Sequence, residues 1–129
     1  MTVWVNGCFD ILHVGHIALL EYARSQGSRL VVGLDTDERV KSNKGNDRPI
    51  NTLAKRMKVI SSLRYVDDVT FFDSDDDLVK KIKNSGAKLI IVGNDYEGKR
   101  VIGSEILPVK FFDRIPGLSS TEVINALRV

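Results

Sequence analysis

The chain has 129 residues, 43% of them hydrophobic and 28% charged, with a net charge of +2. That length and apolar content fit one domain over residues 1–129 around a single core, and no Gly/Pro/Ser-rich linker or charge block divides it. The near-balanced charge argues against a nucleic-acid track, no run reaches the apolar length of a membrane span, and a single cysteine excludes an intrachain disulfide. With no signal pattern after Met1, a cytoplasmic location is expected.

In chain order, Thr2 to Val5 is a short β-branched and aromatic run that Asn6-Gly7 is expected to break. Helical spacing follows from Ile17 to Gln26, with Gly27 as its stop, and Leu30 to Leu34 reads as a second strand. Lys and Arg concentrate between Arg39 and Lys58. The polar, glycine-bearing stretch from Lys41 to Pro49 is expected to be a loop, mobile without ligand and closing over bound phosphates. A helix is predicted over Leu53 to Leu63, a strand over Val69 to Phe72, and a helix over Leu78 to Asn84 stopped by Gly86. The acidic Asp73 to Asp77 suits the start of that helix. Strands over Leu89 to Val92 and Val109 to Phe112 and a helix over Ser120 to Leu127 complete the order. Trp4, Phe71 and Phe72 are expected in the core. The alternation predicts an α/β fold, a doubly wound parallel sheet of Rossmann-like type, with ligands beyond the carboxyl ends of the strands.

The stretch Asn6 to His16, NGCFDILHVGH, carries the chemistry. Two imidazoles stand three residues apart around Gly15 where a strand gives way to a helix. Free N–H groups, the positive end of the helix dipole and two imidazole donors at one point make a site for polyphosphate, and Gly15 lets a ligand approach the backbone. A zinc site drawing on Cys8, Asp10, His13 and His16 is the rival reading. Cys8 has no visible base and orienting acid, so it does not read as a nucleophile. The basic residues Lys44, Arg48 and Arg56 can also be read as a solvated face, and Arg64 as an exposed ion pair with Asp67 or Asp68.

These residues, with LVVGLDTDE (Leu30 to Glu38), KGNDRP (Lys44 to Pro49), GNDYEGK (Gly93 to Lys99) and RIPGLSST (Arg114 to Thr121), resemble the HxGH nucleotidylyltransferases. The resemblance is to the cytidylyltransferase-like branch that includes glycerol-3-phosphate cytidylyltransferase and the heptose-1-phosphate adenylyltransferase domain. It implies an enzyme that joins a nucleotidyl group to a small phosphorylated acceptor and releases pyrophosphate, with Mg²⁺ held mainly by substrate phosphates. His13 and His16 match the motif histidines that hold the triphosphate. Lys44 matches a phosphate-neutralising lysine and Arg64 a helix-end arginine that reaches substrate phosphate. Arg48 and Arg56 are expected to help Lys44 and Arg64 with the acceptor phosphate. Gly7, Cys8, Phe9, Gly15, Asp95, Arg114, Gly117, Leu118, Ser119, Ser120 and Thr121 match nucleotide-binding positions. EGK and the arginine of RIPG lean towards CTP and glycerol 3-phosphate. NGC, KGNDRP and IGSE lean towards ATP and heptose 1-phosphate, the second choice. The resemblance also implies a homodimer. A non-catalytic nucleotide-binding module is the alternative from another class.

Overall fold

The structure, a computed structural model, describes residues 1–93 and 100–113. Five strands pair in parallel: β1 (Thr2–Gly7), β2 (Arg29–Asp35), β3 (Asp68–Phe72), β4 (Ala87–Gly93) and β5 (Val109–Phe112). Their order is β3-β2-β1-β4-β5, so β1 lies in the middle and the chain leaves it on opposite sides to reach β2 and β4. This is the doubly wound α/β sheet that the alternation predicts, and the reversal opens a crevice at the carboxyl ends of β1 and β4.

Period-two alternation along the central strands feeds two cores. Val3 and Val5 of β1, Leu30, Val32 and Leu34 of β2, and Leu89 and Ile91 of β4 pack with Leu20 and Ala23 of α1 (Val14–Ser25) and Ile60 of α3 (Leu53–Ser61). Trp4, Val31, Ile90 and Val92 face the other way and pack with Phe72 and with Leu78 and Ile82 of α4 (Asp75–Ser85). Both faces of the sheet are therefore covered, which is why these strands read as unbroken apolar runs. Ser74 caps α4, three aspartates fill its first turn, and Gly86 ends it in a left-handed conformation at φ 76°, so the acidic run serves the helix dipole.

Several expectations need correction. Asn6 and Gly7 do not break β1; they continue its pairing to Gly33 and Leu34, and the Asn6 side chain accepts a 2.9 Å hydrogen bond from the Trp4 indole. Residues expected to begin a mobile loop form a helix, α2 (Asp37–Lys44), capped by the Thr36 hydroxyl, with Asp37 and Glu38 in its first turn and Lys41 and Lys44 in its last. Those charges suit the dipole, and Val40 packs inward. Phe71 is 44% exposed, because adjacent residues of a strand face opposite ways and only Phe72 points to the core. Lys81 lies over its ring at 4.7 Å. The helix expected over residues 120–127 lies outside the described residues.

Gly33 holds the Trp4 indole against β2: a Cβ there would stand 2.4 Å from one ring carbon and 2.7 Å from another. Trp4 is fully buried and cannot swing away without opening the core. Gly33→Ala is expected to destabilise the protein by about 1–3 kcal/mol through overpacking, measured by urea unfolding. An unchanged urea midpoint would show that the indole relaxes freely.

Candidate functional site

The histidine pair builds the start of α1. His13 is its N-cap: the Gly15 N–H donates to His13 Nδ1 at 3.1 Å, and the His13 N–H donates to His16 Nδ1 at 3.2 Å. Imidazole nitrogens thus do the work that a hydroxyl and a carboxylate do in a capping box. Since both Nδ1 atoms accept, each neutral ring carries its proton on Nε2; His16, on the cleft wall, can offer it to a phosphate oxygen, whereas the His13 Nε2 is buried. The two rings stack with centroids 3.8 Å apart, and Phe9 packs edge-on against His16 at 5.2 Å. Phe9 adopts φ 50°, which costs roughly 1–2 kcal/mol outside glycine. Its ring folds back beneath Gly7, where a Cβ would approach it to 3.1 Å.

The loop between β1 and α1 is tied down from below. Asp10 is buried, and its carboxylate accepts from Arg48 Nε at 3.1 Å, from the Ile50 N–H at 2.8 Å and from the Asn51 N–H at 2.8 Å. The Asn51 amide returns a 2.7 Å bond to the Asp10 carbonyl. Arg56 of α3, 1% exposed, donates to the carbonyls of Asn51, Cys8 and Asp35 at 3.0, 3.1 and 2.8 Å and to the Asp37 carboxylate at 2.7 Å. One guanidinium therefore joins the turn after β1, the end of β2 and the start of α2. Arg48 and Arg56, expected at the acceptor phosphate, are corrected to internal braces: their guanidinium groups are buried against protein acceptors. Arg48 also ties the segment after α2 to the turn after β1.

Above this base lies a cleft of about 640 Å³ at the carboxyl ends of β1, β2 and β4. That volume is in the range of small-ligand pockets. Gly7, Cys8, Phe9, Gly15 and His16 form one wall and Asp35, Arg39, Asn43 and Lys44 another, with Gly93, Arg100 and Val101 opposite. His13 stands behind His16. Burial pushes the Cys8 thiol above its ordinary range against the pull of Lys44 and Arg56, so it is a thiol at neutral pH, consistent with no nucleophilic role. Burial also raises the Asp35 carboxyl, although Arg39 bonds it at 2.9 Å.

Arg64 is not brought to this cleft. It is exposed, bonded to the Tyr65 hydroxyl, which in turn donates to Glu21. Asp67 and Asp68, its candidate partners, pair instead with Arg24 and Arg29. The zinc reading loses Asp10 to its three donors and both histidine Nδ1 atoms to the helix cap, and no group of three metal-ligating side chains occurs among the described residues. Asp95, Arg114, Gly117, Leu118, Ser119, Ser120 and Thr121 lie outside the described residues. Asp35 falls where ligands are expected, at the carboxyl end of the second strand, whereas Arg39, Asn43 and Arg100 were not singled out from sequence. Arg39 and Asn43 stand four residues apart on α2, a spacing that the Thr36 cap and the charge pattern of α2 would have revealed. Among the described residues no helix is long and apolar enough to cross a membrane.

The chain matches the family described as cytidylyltransferase-like over residues 4–126. It is 44% identical over 127 residues to the bifunctional protein HldE of Campylobacter fetus subsp. fetus, covering 98% of this chain and 28% of that protein. The chain thus spans little more than a quarter of that relative. Among solved structures, the lipopolysaccharide core biosynthesis protein of Thermoplasma volcanium superposes with a TM-score of 0.71 at 29% identity, over 89% of this chain and 96% of that one. The pantoate-beta-alanine ligase of Francisella tularensis shares the fold, with a TM-score of 0.64 at 15% identity, over 99% of this chain and 69% of its own.

Removing the Asp10 carboxylate strands the Arg48 guanidinium in the interior and releases two backbone N–H groups. Asp10→Ala is expected to lower stability by about 3–5 kcal/mol, as for other broken buried pairs, and to expose residues 48–51 to hydrogen exchange. Exchange there that matched the wild type would separate the anchor from the loop.

Proposed function

The chain belongs to the cytidylyltransferase-like family and is a nucleotidyltransferase, and from that premise we propose that it transfers an adenylyl group from ATP to the phosphate of a heptose 1-phosphate. The observation that carries this reading is 44% identity across almost the whole chain to a bifunctional protein HldE, of which this chain corresponds to one part. The lipopolysaccharide core biosynthesis protein of Thermoplasma volcanium, at 29% identity, supports the same branch. So do the segments NGC, KGNDRP and IGSE. The expectation of CTP as donor rested on EGK and the arginine of RIPG, which lie outside the described residues, and it becomes the second choice.

In this reaction an acceptor phosphate oxygen attacks the α-phosphorus in line. The new P–O bond forms as the bond to the β-phosphate oxygen breaks, and pyrophosphate leaves with that electron pair. The attacking group is already an anion at neutral pH, so no side chain need act as nucleophile or strong base. The protein's task is to place donors where charge grows. His16 on the cleft wall, steadied by the His13 ring and by its own cap to the His13 N–H, directs Nε2–H at the triphosphate from the first turn of α1. The helix start adds its backbone N–H groups and dipole. Lys44, at the end of α2, brings a charge to the same space. Asp35 is the carboxylate on the described cleft wall and is already bonded to Arg39, an arrangement that fits Mg²⁺ arriving on the substrate phosphates rather than in a protein cage. Bound there, the ion would neutralise phosphate charge.

Pyrophosphate release is expected with ATP and heptose 1-phosphate at a kcat/KM at least tenfold above CTP with glycerol 3-phosphate, and the reverse order would restore the cytidylyl reading. For His16→Ala, kcat should fall about a hundredfold or more, as when one transition-state donor is lost. Losing its cap bond should lower stability by only about 1 kcal/mol. Normal turnover in the folded variant would remove His16 from the chemistry.

A further inference from the structure

A cleft that holds a triphosphate and a phosphorylated acceptor gains nothing from a negative charge facing them, yet Asp35 stands on its wall. It is the one carboxylate among the described residues that line the cleft, which also presents His16, Lys44 and Arg100. Its side chain is 17% exposed. Oδ1 accepts from Arg39 Nε at 2.9 Å, and among the described residues no protein donor engages Oδ2. Arg39 is itself fixed: its other end bonds Asp75 at 2.7 Å, and its guanidinium lies over the Phe72 ring at 5.2 Å. The Asp35 carboxylate is therefore held in place by a brace that consumes one oxygen and leaves the second for a ligand. Burial raises its pKa in spite of Arg39, the mark of a carboxylate short of water.

Position separates this group from the phosphates. The donors at the start of α1 follow β1 in the middle of the sheet, and Asp35 ends β2 on one side of them. Gly93, which ends β4, lies on the other side, and Asp95, two residues further on, matches by resemblance a position near the base and ribose. With phosphates in the middle and the base towards β4, the β2 end is left for the body of the acceptor. Asn43, one α2 turn beyond Arg39, adds an amide on the same wall.

We infer that Asp35, assisted by Asn43, determines acceptor specificity by accepting hydrogen bonds from adjacent hydroxyl groups of a polyhydroxylated phosphate. A carboxylate discriminates here in both senses. It pairs with the neutral polyol part and repels phosphate from that end of the cleft, which fixes the direction in which the acceptor lies. The inference rests on the reading of the cleft as a site of nucleotidyl transfer to such an acceptor.

Steady-state pyrophosphate release by the wild type and by Asp35→Asn tests it, with ATP or CTP as donor and heptose 1-phosphate or glycerol 3-phosphate as acceptor. Both acceptors carry adjacent hydroxyls, so a wild type that prefers CTP and glycerol 3-phosphate overturns the heptose reading and still measures Asp35. The expected result is an acceptor KM raised at least tenfold in Asp35→Asn, with the nucleotide KM within twofold of the wild type. A rise confined to the nucleotide KM, and absent with the 2′-deoxynucleotide, would assign Asp35 to the ribose and overturn the inference. So would a fall in kcat with both KM values unchanged, the signature of a residue that only orients Arg39. Calorimetry with the same sugar and polyol phosphates against inorganic phosphate supplies a readout independent of turnover. The wild type should bind the hydroxylated phosphate at least tenfold more tightly than inorganic phosphate, and Asp35→Asn should erase that margin. Equal affinity of the wild type for the two overturns the inference.

Discussion

The turn between β1 and α1 has no regular hydrogen-bonding pattern of its own, and its shape depends on two charged side chains buried beneath it. The Asp10 carboxylate gathers donors from residues 48 to 51, and the Arg56 guanidinium gathers carbonyls from Cys8, Asp35 and Asn51. Each group has its charge taken up by several partners, which is what allows it to stay in the interior. Together they transmit the position of α3 and of the segment before it to the turn that carries Cys8 and Phe9. The left-handed Phe9 and the imidazole cap of α1 are affordable only on such a base.

A consequence is a division of labour among the cations. Phosphate chemistry could call on every Lys and Arg near the site, but a guanidinium has five donors in a rigid fork and can be satisfied wholly by carbonyls and a carboxylate. Arg56 is used in that way, and Arg48 is likewise inside the protein with its Nε bonded to Asp10. The compact, well-hydrated ammonium of Lys44 stays on the cleft wall. Arg39 is intermediate: it is held between Asp35 and Asp75 and still faces the cleft. Arg39, Arg48 and Arg56 thus shape the site.

The central strands were legible in the sequence because each is a run of apolar residues covered on both faces, as in Leu30 to Leu34 and Leu89 to Val92. The start of α1 was legible because its glycine and imidazole spacing is a local pattern. The helix α2 was not, since its eight residues include one buried apolar side chain, Val40, and hydrophobic periodicity has nothing to report there. The fates of Arg48, Arg56 and Arg64 could not be read locally either. Whether an arginine faces a ligand or a carbonyl depends on partners such as Asp10 and Cys8 that lie 38 and 48 residues away. Asp10 in turn anchors backbone, that of Ile50 and Asn51, a segment 40 and 41 residues away in the chain.

The strand order also bears on how the site comes into being. In β1, Thr2 pairs with Arg29 on one side and with Ala87 on the other. The second pairing closes a span roughly three times longer, at an added chain-entropy cost of about 1 kcal/mol. The turn after β1, its braces from α3 and the Asp35 wall all belong to the part of the chain that can assemble through the shorter closure. The Gly93 wall can join only when β4 docks. The phosphate half of the crevice therefore rests on a unit whose contacts are comparatively near in sequence, and its far wall depends on the longer, non-local closure.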